Sequence, residues 1–188
     1  MLIKLIAVTL ACAALYGQEL KPVIDNERVR VWDEPGARAS DLDAVVMHLT
    51  GSKAGTAFYS PKGDKRRWVG NDRSLVIELK DYPVPPLENK TGYPLAFPRP
   101  HVKKLLENDR VIVWSYRWNP GEPTPMHFHD KDVVVVYLED TALTSTKPDG
   151  SKTLNEYKAF DIRFNKRDRV HTEQLERGTG SAMMMELK

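Results

Sequence analysis

The chain repeats itself. Asp25-Asn26-Glu27-Arg28-Val29-Arg30-Val31-Trp32 returns as Glu107-Asn108-Asp109-Arg110-Val111-Ile112-Val113-Trp114, with five of eight positions identical and the acids exchanging conservatively. Each copy is followed by Pro-Gly (Pro35-Gly36, Pro120-Gly121), then by a β-branched run: Val45-Val46-Met47-His48-Leu49 in one, Val134-Val135-Val136-Tyr137-Leu138 in the other. Pro61-Lys62-Gly63-Asp64-Lys65 then matches Pro148-Asp149-Gly150-Ser151-Lys152, and Leu75 to Lys80 matches Met183 to Lys188, both ending Glu-Leu-Lys. Matches that keep one order through two halves require the same unit to be built twice.

That unit is made of strands. Arg28 to Trp32 alternates polar and apolar, Arg110 to Trp114 does so more weakly, and Val133 to Leu138 is β-branched, as a fully buried strand requires. Ser60-Pro61-Lys62-Gly63 and Lys147-Pro148-Asp149-Gly150 carry turn chemistry. His101 to Asn108 is the one stretch that reads as a turn or two of helix. Asp81 to Pro100 holds six prolines and reads as a connector that wraps. The expected fold class is all-β, a pair of tandem sandwich or barrel halves.

The first 17 residues read as a secretory signal. Lys4 supplies a positive start, Leu5 to Leu15 are apolar except Thr9, and the run is too short to span a bilayer. The mature chain is expected to begin at Gln18 and to be periplasmic or secreted. The only cysteine, Cys12, lies in that segment, so the mature chain has no thiol nucleophile, disulfide or Cys-ligated zinc. A second reading makes Thr9-Leu10-Ala11-Cys12 a lipobox with a lipidated Cys12. Lys and Arg number 28 against 26 Asp and Glu, a net charge of +2, which excludes a nucleic-acid binder that needs a basic stripe. The resulting division is 1–17 signal, 18–80 first half, 81–104 connector and 105–188 second half.

The second half contains Gly121-Glu122-Pro123-Thr124-Pro125-Met126-His127-Phe128-His129. A Gly, five residues and His-x-His resembles the first motif of the cupin superfamily, which implies jelly-roll halves. Residues two apart on a strand share a face, so His127 and His129 point at one spot while Phe128 packs on the other side. His171 stands where the second cupin motif places its histidine. The resemblance therefore implies a site of His127, His129 and His171 for one divalent ion: Fe, Zn, Mn, Ni or Cu, all compatible with imidazole. The motif's usual Glu is replaced by Val133 and Val134. Asp132 and Glu173 are the candidate carboxylates and general bases. Spacing favours Glu173, two residues from His171 and so on the same face, whereas Asp132 is one residue out of register.

Aligned on the repeat, Arg38 and Ser40 of the first half stand where His127 and His129 stand. The Lys65 to Arg73 stretch is too short for a hairpin like that of His171. The first half therefore resembles a degenerate, metal-free cupin. His48 is expected to be a packed ring and His101 exposed. Trp32, Trp114 and Met183-Met184-Met185 are expected in the core, and Lys65-Arg66-Arg67 in a solvated turn. The resemblance implies a metal-binding protein, and the N-terminal signal implies an exported one. One reading is a metal-dependent oxygenase, isomerase or lyase acting on a small oxygen-bearing organic molecule. The other is a non-catalytic periplasmic metal or small-ligand binder. The expected partner is a small molecule, with no nucleic acid and no stable membrane span, and homodimerisation is left open.

Overall fold

The structure is a computed structural model that describes residues 21–35, 40–64 and 72–188. The signal read at 1–17 with Cys12, Arg38 in the alignment, and Lys65-Arg66-Arg67 lie outside the described residues. Those residues form fourteen strands in three antiparallel sheets. None of them forms a helix long and apolar enough to cross a membrane.

The first sheet uses β1 (Ile24–Asp25), β2 (Val29–Pro35), β3 (Ala44–His48), β4 (Ala57–Ser60) and β5 (Arg73–Leu79), in the order β1-β2-β5-β3-β4. The second uses β6 (Val102–Glu107), β7 (Val111–Arg117), β9 (Asp132–Tyr137), β12 (Ile162–Asn165) and β14 (Ser181–Leu187). Its order, β12-β9-β14-β7-β6, is the same path reversed on the page. Register makes the equivalence exact in two places: Val29 pairs with Leu79 as Val111 pairs with Leu187, and Ala44 pairs with Glu78 as Val133 pairs with Glu186. The third sheet, β11-β10-β13-β8, is built from β8 (His127–His129), β10 (Thr141–Thr146), β11 (Lys152–Tyr157) and β13 (Arg169–Gly178). No counterpart of this third sheet occurs among the described residues of the first half.

The second sheet has two apolar faces because both are covered, which is why its strands read as near-continuous hydrophobic runs. Val111, Val113, Val134, Val136, Met183, Met185 and Leu187 share one core with Val29, Val31, Val45, Met47, Leu75, Ile77 and Leu79 of the first sheet. The alternate residues Trp114, Tyr116, Val133, Val135, Tyr137 and Met184 face the other way, in a core with Leu143 and Leu175 of the third sheet. The methionine triplet thus divides between two cores by strand alternation, and both Trp32 and Trp114 are buried. Burying each such side chain contributes roughly 1.5–3 kcal/mol.

The repeated Asn-x-Arg-Val makes the same local structure twice. The Asn26 side-chain oxygen accepts from the backbone N–H of Arg28 and Val29 at 2.8 and 3.0 Å, and that of Asn108 accepts from Arg110 and Val111 at 2.9 and 3.0 Å. This side-chain turn is what asparagine favours. It aims each arginine at the opposite half. Arg28 Nη1 donates to Asp132 at 2.8 Å, and Arg110 Nη1 donates to Asp43 at 3.1 Å, an exchanged pair of clamps.

Three expectations are corrected. His101 to Asn108 is an edge strand, β6, not a helix, because pairing with β7 outweighs local helix propensity. The strand also starts at Val102, inside the segment read as connector. Pro61 and Pro148 are not equivalent: the first follows β4, while the second turns between β10 and β11, so that match in the repeat does not carry into the fold.

Candidate metal centre

Gly121, at φ 75°, is in the left-handed region that glycine adopts freely, and it turns the chain between β7 and β8. From there β8 lies antiparallel to β13, with His171 opposite His127, Phe128 opposite Val170 and His129 opposite Arg169. Period-two geometry then puts all three imidazoles on one face. His129 Nε2 lies 3.2 Å from His127 Nε2 and 3.2 Å from His171 Nε2. Phe128, between the first two, is itself 1% exposed.

His127 Nδ1 lies 2.8 Å from the Pro125 carbonyl, which only an N–H can satisfy. The proton is therefore fixed on Nδ1 and the lone pair on Nε2 faces inward. Burial, with Arg99 beside it, pushes His127 down to about 4. Burial also lowers His129, with Arg169 and the neighbouring rings acting the same way, and lowers His171 against the opposing pull of Glu173. Three neutral imidazoles with converging lone pairs repel one another unless a cation lies between them. Ligand nitrogens about 2.0–2.1 Å from one ion stand roughly 2.8–3.4 Å apart for right-angle to tetrahedral geometry, and the two separations from His129 fit that range.

The buried imidazoles set a pH dependence for the metal-free protein. Unfolded, they protonate near 6.5; folded, His127 stays neutral until about 4. A lowered folded value means that the unfolded state binds more protons in that window, so stability falls as pH drops from 6.5 toward 4. The His127 shift alone corresponds to about 3 kcal/mol, and the other two act in the same direction. Urea midpoints at pH 7, 5.5 and 4.5 measure this; a flat profile contradicts buried neutral rings.

The two candidate carboxylates part company. Glu173 is brought to the histidines: its Oε1 is 3.9 Å from His171 Nε2, and its Oε2 accepts from Trp118 Nε1 at 3.1 Å. Burial raises its carboxyl, but Arg99, the imidazoles and the Trp118 hydrogen bond outweigh that and hold it below the usual range. Its backbone is clasped by Thr124, whose N–H donates to the Glu173 carbonyl and whose hydroxyl accepts from the Glu173 N–H, both at 2.8 Å. Asp132 is not brought to the site. Alternation along β9 turns it to the face of Val134 and Val136, where Arg28 and the Arg167 N–H (2.8 Å) occupy its oxygens.

Arg99 is the residue that sequence reasoning missed. The connector runs beside β8, with Ala96 N donating to the Phe128 carbonyl and Phe128 N to the Pro94 carbonyl, each at 2.8 Å. This places Arg99 Nη1 3.1 Å from His127 Nε2 and Nη2 3.5 Å from Glu173. Its guanidinium lies over the rings of Phe97 and Tyr116, at 4.8 and 4.2 Å from their centroids. Nothing periodic marks an arginine between two prolines; its flanking Phe97-Pro98 and Pro100 were its only local signal. His48 is a buried ring 3.1 Å from the Ser74 hydroxyl, and His101 is exposed beside Glu122.

No family model matches the chain. Beta-alanine degradation protein BauB of Pseudomonas aeruginosa is 39% identical over 62 residues, which is 33% of this chain and 61% of BauB, so the chain spans less than two thirds of that relative. A cupin domain from Bordetella pertussis is 24% identical over 46% of this chain and 91% of that one, with a TM-score of 0.43. Protein Ylba from E. coli is 10% identical over 85% of this chain and 75% of its own, with a TM-score of 0.55. The likeness to Ylba is one of fold, and it agrees with the all-β class expected from the sequence.

Proposed function

We propose that the chain is an exported metal-binding protein of two cupin-like halves, in which 105–188 binds one divalent ion through His127, His129 and His171. The half at 18–80 props it, and the segment from 81 to the start of β6 at Val102 joins the two. The observation that carries the metal reading is the convergence of three Nε2 atoms, those of His127 and His171 each 3.2 Å from that of His129. The repeated sheet order supports two related halves, and a metal-free first half rests on the sequence, where Arg38 and Ser40 stand in place of the two histidines.

The enzymatic reading is a metal-dependent oxygenase, isomerase or lyase acting on a small oxygen-bearing molecule. A divalent ion held by three neutral ligands keeps its full charge and has open positions for an oxygen ligand. The chain's own part is to orient and to exclude. The Pro125 carbonyl fixes the His127 tautomer. Val133, Val135 and Met184 form apolar walls. Glu173 is ionised, lies beside His171 and is the proton acceptor within reach. BauB is named for β-alanine degradation, which is compatible with a small-molecule substrate. The reading without turnover, a periplasmic metal or ligand binder, is favoured by the size of the cavity at the histidines, about 20 Å³ or room for one water.

Protein purified without added metal, analysed for ion identity and stoichiometry and then for O2 uptake with phenolic and keto-acid compounds, tests these readings. Absence of any bound ion removes both. For the carboxylates, Glu173→Gln and Asp132→Asn should each keep about one ion per chain, because neither oxygen pair joins the three nitrogens. Loss of the ion from Asp132→Asn alone contradicts the register of β9. For export, intact mass of secreted material should start near Gln18, with no acyl chain on Cys12.

A further inference from the structure

Resting on the metal reading above, we infer that the site takes a small organic carboxylate, and that Arg99 is the residue that selects it. The charged side chains lining the cavity are Arg99, Arg169 and Glu173, two cations against one anion before any ion is added. A divalent ion raises that excess further in a site whose walls are Val133, Val135 and Met184. Uncompensated charge in such surroundings is costly, so an anion completes the site better than a neutral ligand does.

The position of Arg99 says which anion. Its side chain is 5% exposed, and both terminal nitrogens face inward, Nη1 toward His127 Nε2 and Nη2 toward Glu173 Oε2. The lone pair of His127 that Nη1 touches is the one a metal ion would take. Ion uptake therefore frees Nη1 beside the ion. The Glu173 contact, at 3.5 Å, is a buried ion pair at the limit of a hydrogen bond, so it anchors the guanidinium while leaving Nη2 able to donate to a second acceptor. Arg99 Nε is buried without a hydrogen-bond partner among the described residues. Stacking over Phe97 and Tyr116 holds the guanidinium plane in place. A planar fork with free donors matches the two oxygens of a carboxylate. The small cavity favours a carboxylate head group, with any short tail toward the mouth, over a phenolic ring.

The test uses the full chain loaded with Co(II), with ion content measured first and acetate and acetamide then titrated by calorimetry. The wild type should bind acetate and not its neutral isostere. Arg99→Gln should keep the ion and lose acetate affinity by about 10-fold or more, and Arg99→Lys should recover only part, because an ammonium cannot fork. Equal binding of acetate and acetamide, no acetate binding by the loaded wild type, or unchanged affinity in Arg99→Gln overturns the assignment while leaving the metal site standing. A wild type that takes up no Co(II) overturns the metal site, and this assignment with it.

Discussion

Replacing His129 with alanine is expected to strip the protein of its ion. His129 is the central member of the trio, 3.2 Å from each of the other two Nε2 atoms, and its removal leaves His127 and His171 as the nitrogen ligands. Losing even a residue that only orients a ligand lowers metal affinity about 10–100-fold, and losing a direct ligand exceeds that. After gel filtration the content should fall from about one ion per chain to under about a tenth. His48→Ala and His101→Ala should retain it: His48 is bonded to Ser74 in the first sheet, and His101 is exposed beside Glu122. Elemental analysis of the four proteins decides the matter, and equal content in all of them refutes the assignment.

The largest expected stability change lies at the joint between the halves. Arg28 and Asp132 form a pair with side chains 7% and 11% exposed, whereas their counterparts Arg110 and Asp43 are 32% and 25% exposed. Removing one member of a buried pair leaves the other charge without compensation, at a cost of about 3–5 kcal/mol. Removing one member of a wetter pair costs about 1 kcal/mol or less. Arg28→Ala should therefore lower the urea midpoint far more than Arg110→Ala, although the two occupy equivalent positions in the repeat. Joint replacement by Arg28→Met and Asp132→Leu should restore most of the loss, because no buried charge is left over. Equal losses in the two single variants contradict a difference set by burial.

The same joint shows how far local sequence reaches. The asparagine turns and the valine-rich strands that follow them depend on near neighbours, so the repeat announces two equivalent sheets. His-x-His works in the same way, since a period of two fixes a shared face without knowledge of the partner strand. The misreading of His101 to Asn108 has an identifiable cause. The register of β6 against β7 shifts between Lys104 and Leu106, an irregularity that breaks alternation at Leu105-Leu106 and hides the strand. Asp132 illustrates a related limit: register along β9 predicts that it faces away from the histidines, but only the packing of the two sheets shows Arg28 as its partner.

Sequence alone determined the elements of this protein whose physics is short-ranged: strand periodicity, the asparagine turns and the common face of His127 and His129. Tertiary structure decided everything that depends on segments far apart in the chain. It brought Arg99 from the connector to within 3.1 Å of His127, placed Glu173 against Trp118, and paired Arg28 with Asp132 across 104 residues. Backbone periodicity fixes which way a side chain points, whereas its neighbour is fixed by the packing of whole sheets, and that packing has no local sequence signal.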